Sequence, residues 1–147
     1  MEMDGTEEFA YFEVDALDDT ADFDLYVLHV SAAGTRQYDS ATGSADESLL
    51  FEAGDFAAGD LFIAIGNAFT LGELEDGTMT LGAWGVGPDA GNLTVGPATI
   101  TAGLGESTEV SLDWSRLTPG AWLGRVLFGE TQTASTLVKV TVPEATP

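Results

Sequence analysis

The stretch from Asp22 to Val30, DFDLYVLHV, constrains the fold of this chain more than any other. One face of an extended backbone would carry Phe23, Leu25 and Val27, and the other face would carry Tyr26, Leu28 and Val30. Side chains alternate between the two faces of a strand, so this segment is apolar on both sides over much of its length. It therefore predicts a strand in the middle of a sheet, with other strands packed around it.

Short apolar stretches recur along the rest of the chain, separated by Gly, Asp, Asn or Pro, and the chain contains 18 glycines. No stretch of ten or more residues combines helical periodicity with capping residues. We expect strands at residues 6–14, 22–30, 36–39, 47–52, 61–69, 78–85, 93–95, 98–102, 107–115, 122–128 and 137–142. This spacing predicts an all-β fold, an antiparallel two-sheet β-sandwich, with a closed barrel as the alternative.

The length of 147 residues suits one domain with a core of its own, so we expect a single β-sandwich domain over residues 1–147. The sequence GPDAGN at residues 87–92 is the best candidate for a subdivision within it. Residues 143–147, PEATP, are expected to be a linker or a frayed end. The start, MEMDGTEEF, lacks the basic and apolar segments of a signal peptide, and no stretch has the ~18 apolar residues of a membrane span. We expect a soluble chain with no membrane insertion.

The chain carries 25 acidic and 4 basic residues, a net charge of −21. Residues 1–60 hold 16 acids and one base, net −15, and residues 61–147 hold 9 acids and three bases, net −6. Nucleic acids and anionic membranes are poor partners for such a field. Two interpretations stay open: a solubilising, salt-adapted surface, or a surface that includes one or more calcium sites.

Four acids crowd the junction before and within the predicted central strand: Asp18, Asp19, Asp22 and Asp24. Carboxylates in a flexible loop suit Ca²⁺, and Asp22 and Asp24 share one face of an extended chain. The candidate calcium ligands are therefore Asp19, Asp22 and Asp24, with Asp46 and Glu47 approaching from a neighbouring strand. The alternative is structural: Asp24 accepts backbone N–H bonds from a turn, and the other carboxylates are solvated. We expect that no cofactor is required, and calcium is the one candidate.

The sequence lacks the combinations of reactive residues that common catalytic sites use. There is no cysteine, and His29 is the single histidine. Serine hydrolysis needs a base beside the nucleophile, and no serine lies in a G-x-S-x-G elbow. We expect His29 to be a partly buried imidazole, hydrogen bonded near a strand end, and the chain not to be an enzyme.

Three tryptophans are candidates for stacking on a ligand. Trp114 and Trp122 lie among alternating apolar residues, so we expect both in the core. Trp84 precedes a glycine-rich loop, and we expect it to be exposed. It is the candidate ligand-binding residue, for a sugar or a peptide.

Two stretches together resemble a known family. The segment ADFDLYVLHV followed by SATGSADESLLFEAGDFAAGDLFIAIGNAF is similar to the repeat of bacterial pre-peptidase C-terminal domains. The segments DAGNLTV, VSLDWSRLTPGAWLGRVLFG and TLVKVTV resemble the last part of actinobacterial-type subtilisin-like serine proteases. They stand in the same order as in that family and cover most of residues 9–142. Three residues depart from the pattern: Arg116 replaces the glycine of W-S-G-L, and Phe62 and Ile65 replace the aromatic residue and valine of the G-x-Y-x-V run.

The resemblance implies a fibronectin-III-like or jelly-roll-like accessory domain at the C-terminus of a secreted subtilisin-like protease. Such a domain would stabilise, position or target an adjacent or covalently linked protease catalytic domain. One alternative is a free-standing extracellular module that binds a cell-surface protein or carbohydrate. Another is a self-assembling surface subunit.

Overall fold

The computed structural model describes residues 1–17, 20–70, 77–101, 103–129 and 134–144, with only the backbone given at Thr70. The described residues form ten strands and one short 3₁₀ turn at Ala53–Asp55. The strands are β1 (Phe9–Ala16), β2 (Asp22–Ser31), β3 (Gly34–Ser40), β4 (Glu47–Glu52), β5 (Leu61–Thr70), β6 (Met79–Val86), β7 (Leu93–Gly96), β8 (Ser111–Trp114), β9 (Gly120–Phe128) and β10 (Ala134–Val142). All pairings between them are antiparallel. The predicted all-β class with packed antiparallel sheets, a β-sandwich, is confirmed.

The chain divides into two compact units, Met1–Pro88 and Asp89–Pro147. The division falls inside residues 87–92, the segment GPDAGN. The first unit contains two three-stranded sheets, with strand orders β4-β1-β6 and β3-β2-β5. The second unit contains two hairpin-like sheets, β7-β8 and β9-β10.

Strand β2 is the centre of its sheet, as its two apolar faces predict. It pairs with β3 through a tight connection in which Ser31 lies opposite Gly34, leaving Ala32 and Ala33 as the turn. On its other side it pairs with β5, from Val30 opposite Leu61 onward. A bulge interrupts that pairing near Asp22, and the extra residue lies on β5.

The core of the first unit is aromatic. Phe12 of β1 contacts Phe51 of β4 and Phe62 of β5, with ring centroids 5.9 and 5.4 Å apart. Phe23, Leu25, Val27 and Val14 are part of the same buried cluster. The two sheets therefore share one interior, to which β1 and β2 contribute alternate residues.

The second face of β1, which carries Phe9, Tyr11 and Glu13, is covered as well. Phe9 and Glu13 are buried, and Tyr11 is half-buried. Part of the cover comes from β6, because Trp84 lies beside Tyr11 on that face.

Two predicted strands in the second unit are wrong or too long. Residues 98–101 form no strand, and Ala102 lies outside the described residues. Ile100 is the single large apolar side chain there, so nothing anchors an alternating pattern. The strand predicted over residues 107–115 shortens to Ser111–Trp114, because its partner β7 ends at Gly96 and Pro97 has no N–H for the ladder. Among the described residues, no helix has the length and hydropathy to cross a membrane.

Candidate functional site

His29 lies near the end of β2, enclosed between a carboxylate and an aromatic ring. Its Nε2 donates a hydrogen bond to Oδ2 of Asp60 at 2.8 Å, and its ring stacks on Phe62 with centroids 4.5 Å apart. The side chain is only 8% exposed. The expected hydrogen-bonded imidazole near a strand end is therefore present.

Asp60 fixes the segment that leads into β5. The same Oδ2 also accepts the N–H of Ala57 at 3.0 Å, and the backbone carbonyl of Asp60 accepts the N–H of Met3. The hydrogen bond from His29, with that from Ala57, holds the pKa of Asp60 below its ordinary value. The arrangement therefore joins β2, the turn before β5 and the N-terminal segment.

The predicted calcium ligands stand at the start of β2. Asp22 and Asp24 both belong to this strand, and Asp19 lies outside the described residues. Asp24 is buried, and its Oδ2 accepts a hydrogen bond from the Tyr26 hydroxyl at 3.0 Å. Oδ1 of Asp22 is buried without a hydrogen-bond partner. A cation would satisfy this oxygen, because a carboxylate oxygen removed from water requires a partner.

Within the described part of the chain, no group of three or more His, Cys, Asp or Glu side chains is arranged to hold a metal ion. Calcium binding by Asp19, Asp22 and Asp24 stays a prediction.

Asp46 and Glu47, predicted to approach the calcium ligands from a neighbouring strand, both accept hydrogen bonds from nearby residues. Oδ1 of Asp46 accepts the N–H of Ala16 at 3.0 Å. The buried carboxylate of Glu47 accepts hydrogen bonds from the hydroxyls of Ser40, Thr42 and Ser44, and from the N–H of Thr42 at 2.8 Å. Burial raises the pKa of Glu47, but these hydrogen bonds more than offset it, so its pKa is lowered. Glu47 thus organises the loop between β3 and β4.

Trp84, the predicted ligand-binding residue, packs on its own sheet. Its indole lies over Gly82, where an added Cβ would come within 2.2 Å of the ring. The centroid of the indole is 6.0 Å from that of the Tyr11 ring. The side chain is half-buried rather than exposed as predicted. The absence of a side chain on Gly82 makes room for this close approach. Ligand binding through Trp84 stays a prediction.

The second unit places the other two tryptophans at a small cleft. Trp114 of β8 and Trp122 of β9 line it, together with Leu93, Val138 and Val140. Trp114 is 50% exposed, so its predicted place in the core is wrong. Trp122 is partly buried, and its Nε1 donates to the carbonyl of Thr118 at 2.8 Å. Strand alternation did identify the face that carries Trp114, but two-stranded sheets have too few neighbours to cover it.

In the first unit, the carboxylates at the start of β2 lie on the β3-β2-β5 sheet, and the Trp84 ring lies on the β4-β1-β6 sheet. The cleft belongs to the second unit. The hydroxyl-rich environment of Glu47 was not predicted, although the serine and threonine residues of SATGSADES were an available signal. No family model, curated protein or solved structure matches the chain.

Proposed function

We propose that this chain is a non-catalytic accessory domain of a secreted subtilisin-like serine protease, and that it stabilises, positions or targets the enzyme. The proposal combines the sequence resemblance with the β-sandwich fold. The action is passive: the acidic chain holds or orients an adjacent catalytic domain.

The two resembling stretches fall in different compact units. The stretch similar to pre-peptidase C-terminal domains, residues 21–69, lies wholly within Met1–Pro88 and contains β2 to β5. The stretch similar to the terminal part of subtilisin-like proteases, residues 89–142, lies wholly within Asp89–Pro147. A boundary between two structural units at the junction of two sequence patterns supports the idea that each pattern describes a unit.

The observation that carries the proposal is the backbone of Arg116. This residue replaces the glycine of the W-S-G-L pattern, and its φ is 61°. It is the one non-glycine residue with positive φ among those the structure describes. Glycine adopts this conformation readily and other residues do so at a cost. The chain thus keeps a backbone suited to glycine at the position where the resembling pattern has one.

The surroundings of His29 support a non-catalytic role. The enclosed imidazole has its Nε2 engaged by Asp60 and its face covered by Phe62. A general base has to reach the proton it removes from a nucleophile. His29 would have to leave both partners to do so.

The coding sequence upstream tests the proposal most simply. A subtilisin-like catalytic domain in the same reading frame is the expected result. A complete reading frame that begins at this chain, with no protease domain, would contradict it and favour a free-standing binding module. Light scattering at several salt concentrations distinguishes the third candidate, a self-assembling surface subunit, which would grow in mass as salt screens its charge.

A further inference from the structure

A long loop in the second unit joins β7 to β8. It spans residues 97–110, and its described residues form no helix or strand; Ala102 lies outside them. Residues 97–101 and 103–109 are all exposed, and Val110 is partly buried. Loops of this length without secondary structure are uncommon in compact domains and are often functional. We name this segment the β7–β8 loop.

Leu104, in the middle of the β7–β8 loop, is the most exposed large apolar residue in the described part of the chain. Its exposed area is 108% of the reference value, against 71% for Leu17 and 70% for Phe69. A single exposed apolar residue is ordinary on a protein surface, so exposure alone does not identify a site. The backbone around Leu104 distinguishes it from the other two residues.

A single four-residue turn holds this backbone. The N–H of Glu106 donates to the carbonyl of Gly103 at 3.0 Å, and the N–H of Gly103 donates to Oε2 of Glu106 at 2.8 Å. Gly105 takes the positive φ of 80° that such a turn requires at its third position. These two bonds are the only hydrogen bonds within the described part of the β7–β8 loop.

The other two strongly exposed apolar residues have a more firmly held backbone. The N–H of Leu17 donates to the carbonyl of Thr78 at 3.1 Å. Phe69 belongs to β5, where its neighbour Ala68 is paired with Phe23. Proteolysis is favoured where the backbone is exposed and has few hydrogen bonds to break. Leu104 meets this requirement better than either of the other two.

We propose that the peptide bond between Leu104 and Gly105 is a processing site, whose turn opens to enter a serine protease with an apolar specificity pocket. The side chain before the scissile bond selects the protease by filling this pocket. Leu104 is apolar and protrudes, and Gly105 places no side chain beside the bond. This inference rests on the proposed function, since a subtilisin-like enzyme held by this chain supplies the protease.

The reaction is acyl transfer to water. The serine hydroxyl of the protease attacks the carbonyl carbon of Leu104, and the Gly105 amine leaves with a proton from the protease histidine. Water then releases Leu104 as a carboxylate and regenerates the serine. The cut removes the covalent connection between β7 and β8, whose ladder has four residue pairs. Because a two-stranded ladder is marginally stable on its own, cleavage weakens the second unit.

The test incubates the folded chain with catalytic amounts of subtilisin and identifies the first products by intact mass. We expect the first two fragments to be residues 1–104 and 105–147. Leu104→Asp should slow the cut at this bond about tenfold or more, because an apolar pocket binds a charged side chain poorly. The matched control is Leu17→Asp, which changes another strongly exposed leucine and should leave the rate and position of the cut unchanged.

A second pair of variants tests the opening of the turn. Glu106→Ala removes the acceptor of the Gly103 N–H, so the turn should open more often and the cut should be about two- to tenfold faster. Glu106→Gln is the matched control, because it removes the charge but keeps an acceptor oxygen, and it should be cut at about the wild-type rate.

Four results would each overturn the proposal. They are a first cut elsewhere in the chain, equal rates for wild type and Leu104→Asp at this bond, equal rates for Glu106→Ala and Glu106→Gln, and a complex with subtilisin in which the loop stays intact. The last result would make Leu104 an inhibitory anchor instead of a substrate residue. The experiment needs no upstream domain, so its failure is separable from failure of the proposed function, which the upstream reading frame tests.

Discussion

His29 and Asp60 are joined by a 2.8 Å hydrogen bond between Nε2 and Oδ2, and this bond ties the end of β2 to the residue that immediately precedes β5. The two residues are 31 positions apart in the chain. Their contact closes the segment that contains β3 and β4, so it contributes to the arrangement of the whole β3-β2-β5 sheet.

The first prediction concerns the pH dependence of this bond. Asp60 has a folded pKa below its ordinary 3.8, so its stabilising effect is complete above that value and is lost as the pH falls through the lowered pKa. Asp60→Asn should therefore lower the urea midpoint at about pH 7, and the difference from wild type should shrink as the pH approaches about 2. Asp113→Asn, at an exposed position, is the control and should leave the midpoint unchanged at both pH values. A constant difference across this range would contradict the assigned role of the carboxylate.

The second prediction concerns Gly82 and Trp84. An added Cβ on Gly82 would lie 2.2 Å from the indole, so Gly82→Ala should displace the ring or destabilise the fold by about 1–3 kcal/mol. Thermal melting and tryptophan emission measure the two effects, with Trp84→Phe identifying the share of emission from that indole. Gly54→Ala is the matched control, because open space surrounds Gly54. An unchanged melting temperature together with unchanged emission for Gly82→Ala would show that the indole does not cover Gly82.

The third prediction concerns the left-handed backbone of Arg116. Glycine should be preferred over alanine at this position by about 1 kcal/mol, because a Cβ is disfavoured at φ 61°. Denaturant unfolding of Arg116→Gly and Arg116→Ala compares the two directly, since both remove the hydrogen bond from Nη2 to the Gly91 carbonyl. If the Arg116→Ala variant were as stable as the Arg116→Gly variant, or more stable, the correspondence with the glycine of the W-S-G-L pattern would lose its physical basis.

The fourth prediction concerns calcium at the start of β2. Millimolar Ca²⁺ should raise the melting temperature more than Mg²⁺ at the same concentration or NaCl at the same ionic strength, because a bound ion stabilises the folded state alone. Asp22→Asn and Asp24→Asn should remove the difference, and Asp113→Asn should retain it. Equal shifts from all three salts would leave charge screening as the sole effect of the ions.

Strands could be predicted from the sequence where burial requires apolar residues to recur with a regular period. The two apolar faces of residues 22–30 identified β2 as a central strand. The prediction was wrong at residues 98–101 and for Trp114, because the second unit pairs its strands only two at a time. Alternation specifies a face, but the number of neighbouring strands decides whether that face is covered.

The candidate sites were less predictable than the fold because they depend on contacts distant in sequence. Asp60 became the partner of His29, and Asp46 became the acceptor for Ala16, 30 residues away. The register of β2 against β5, which places Leu28 opposite Ile63, likewise depends on residues distant in sequence. Single-strand patterns contain no information about register.

The most direct measurement of the central claim is the hydrolysis of casein by the isolated chain. Because His29 is enclosed by Asp60 and Phe62, we predict no cleavage above the buffer rate, and no difference between wild type and His29→Ala in this assay. The opposite result would be robust cleavage that is blocked by a serine-directed reagent and abolished by His29→Ala. It would contradict the proposal that this chain is a non-catalytic domain.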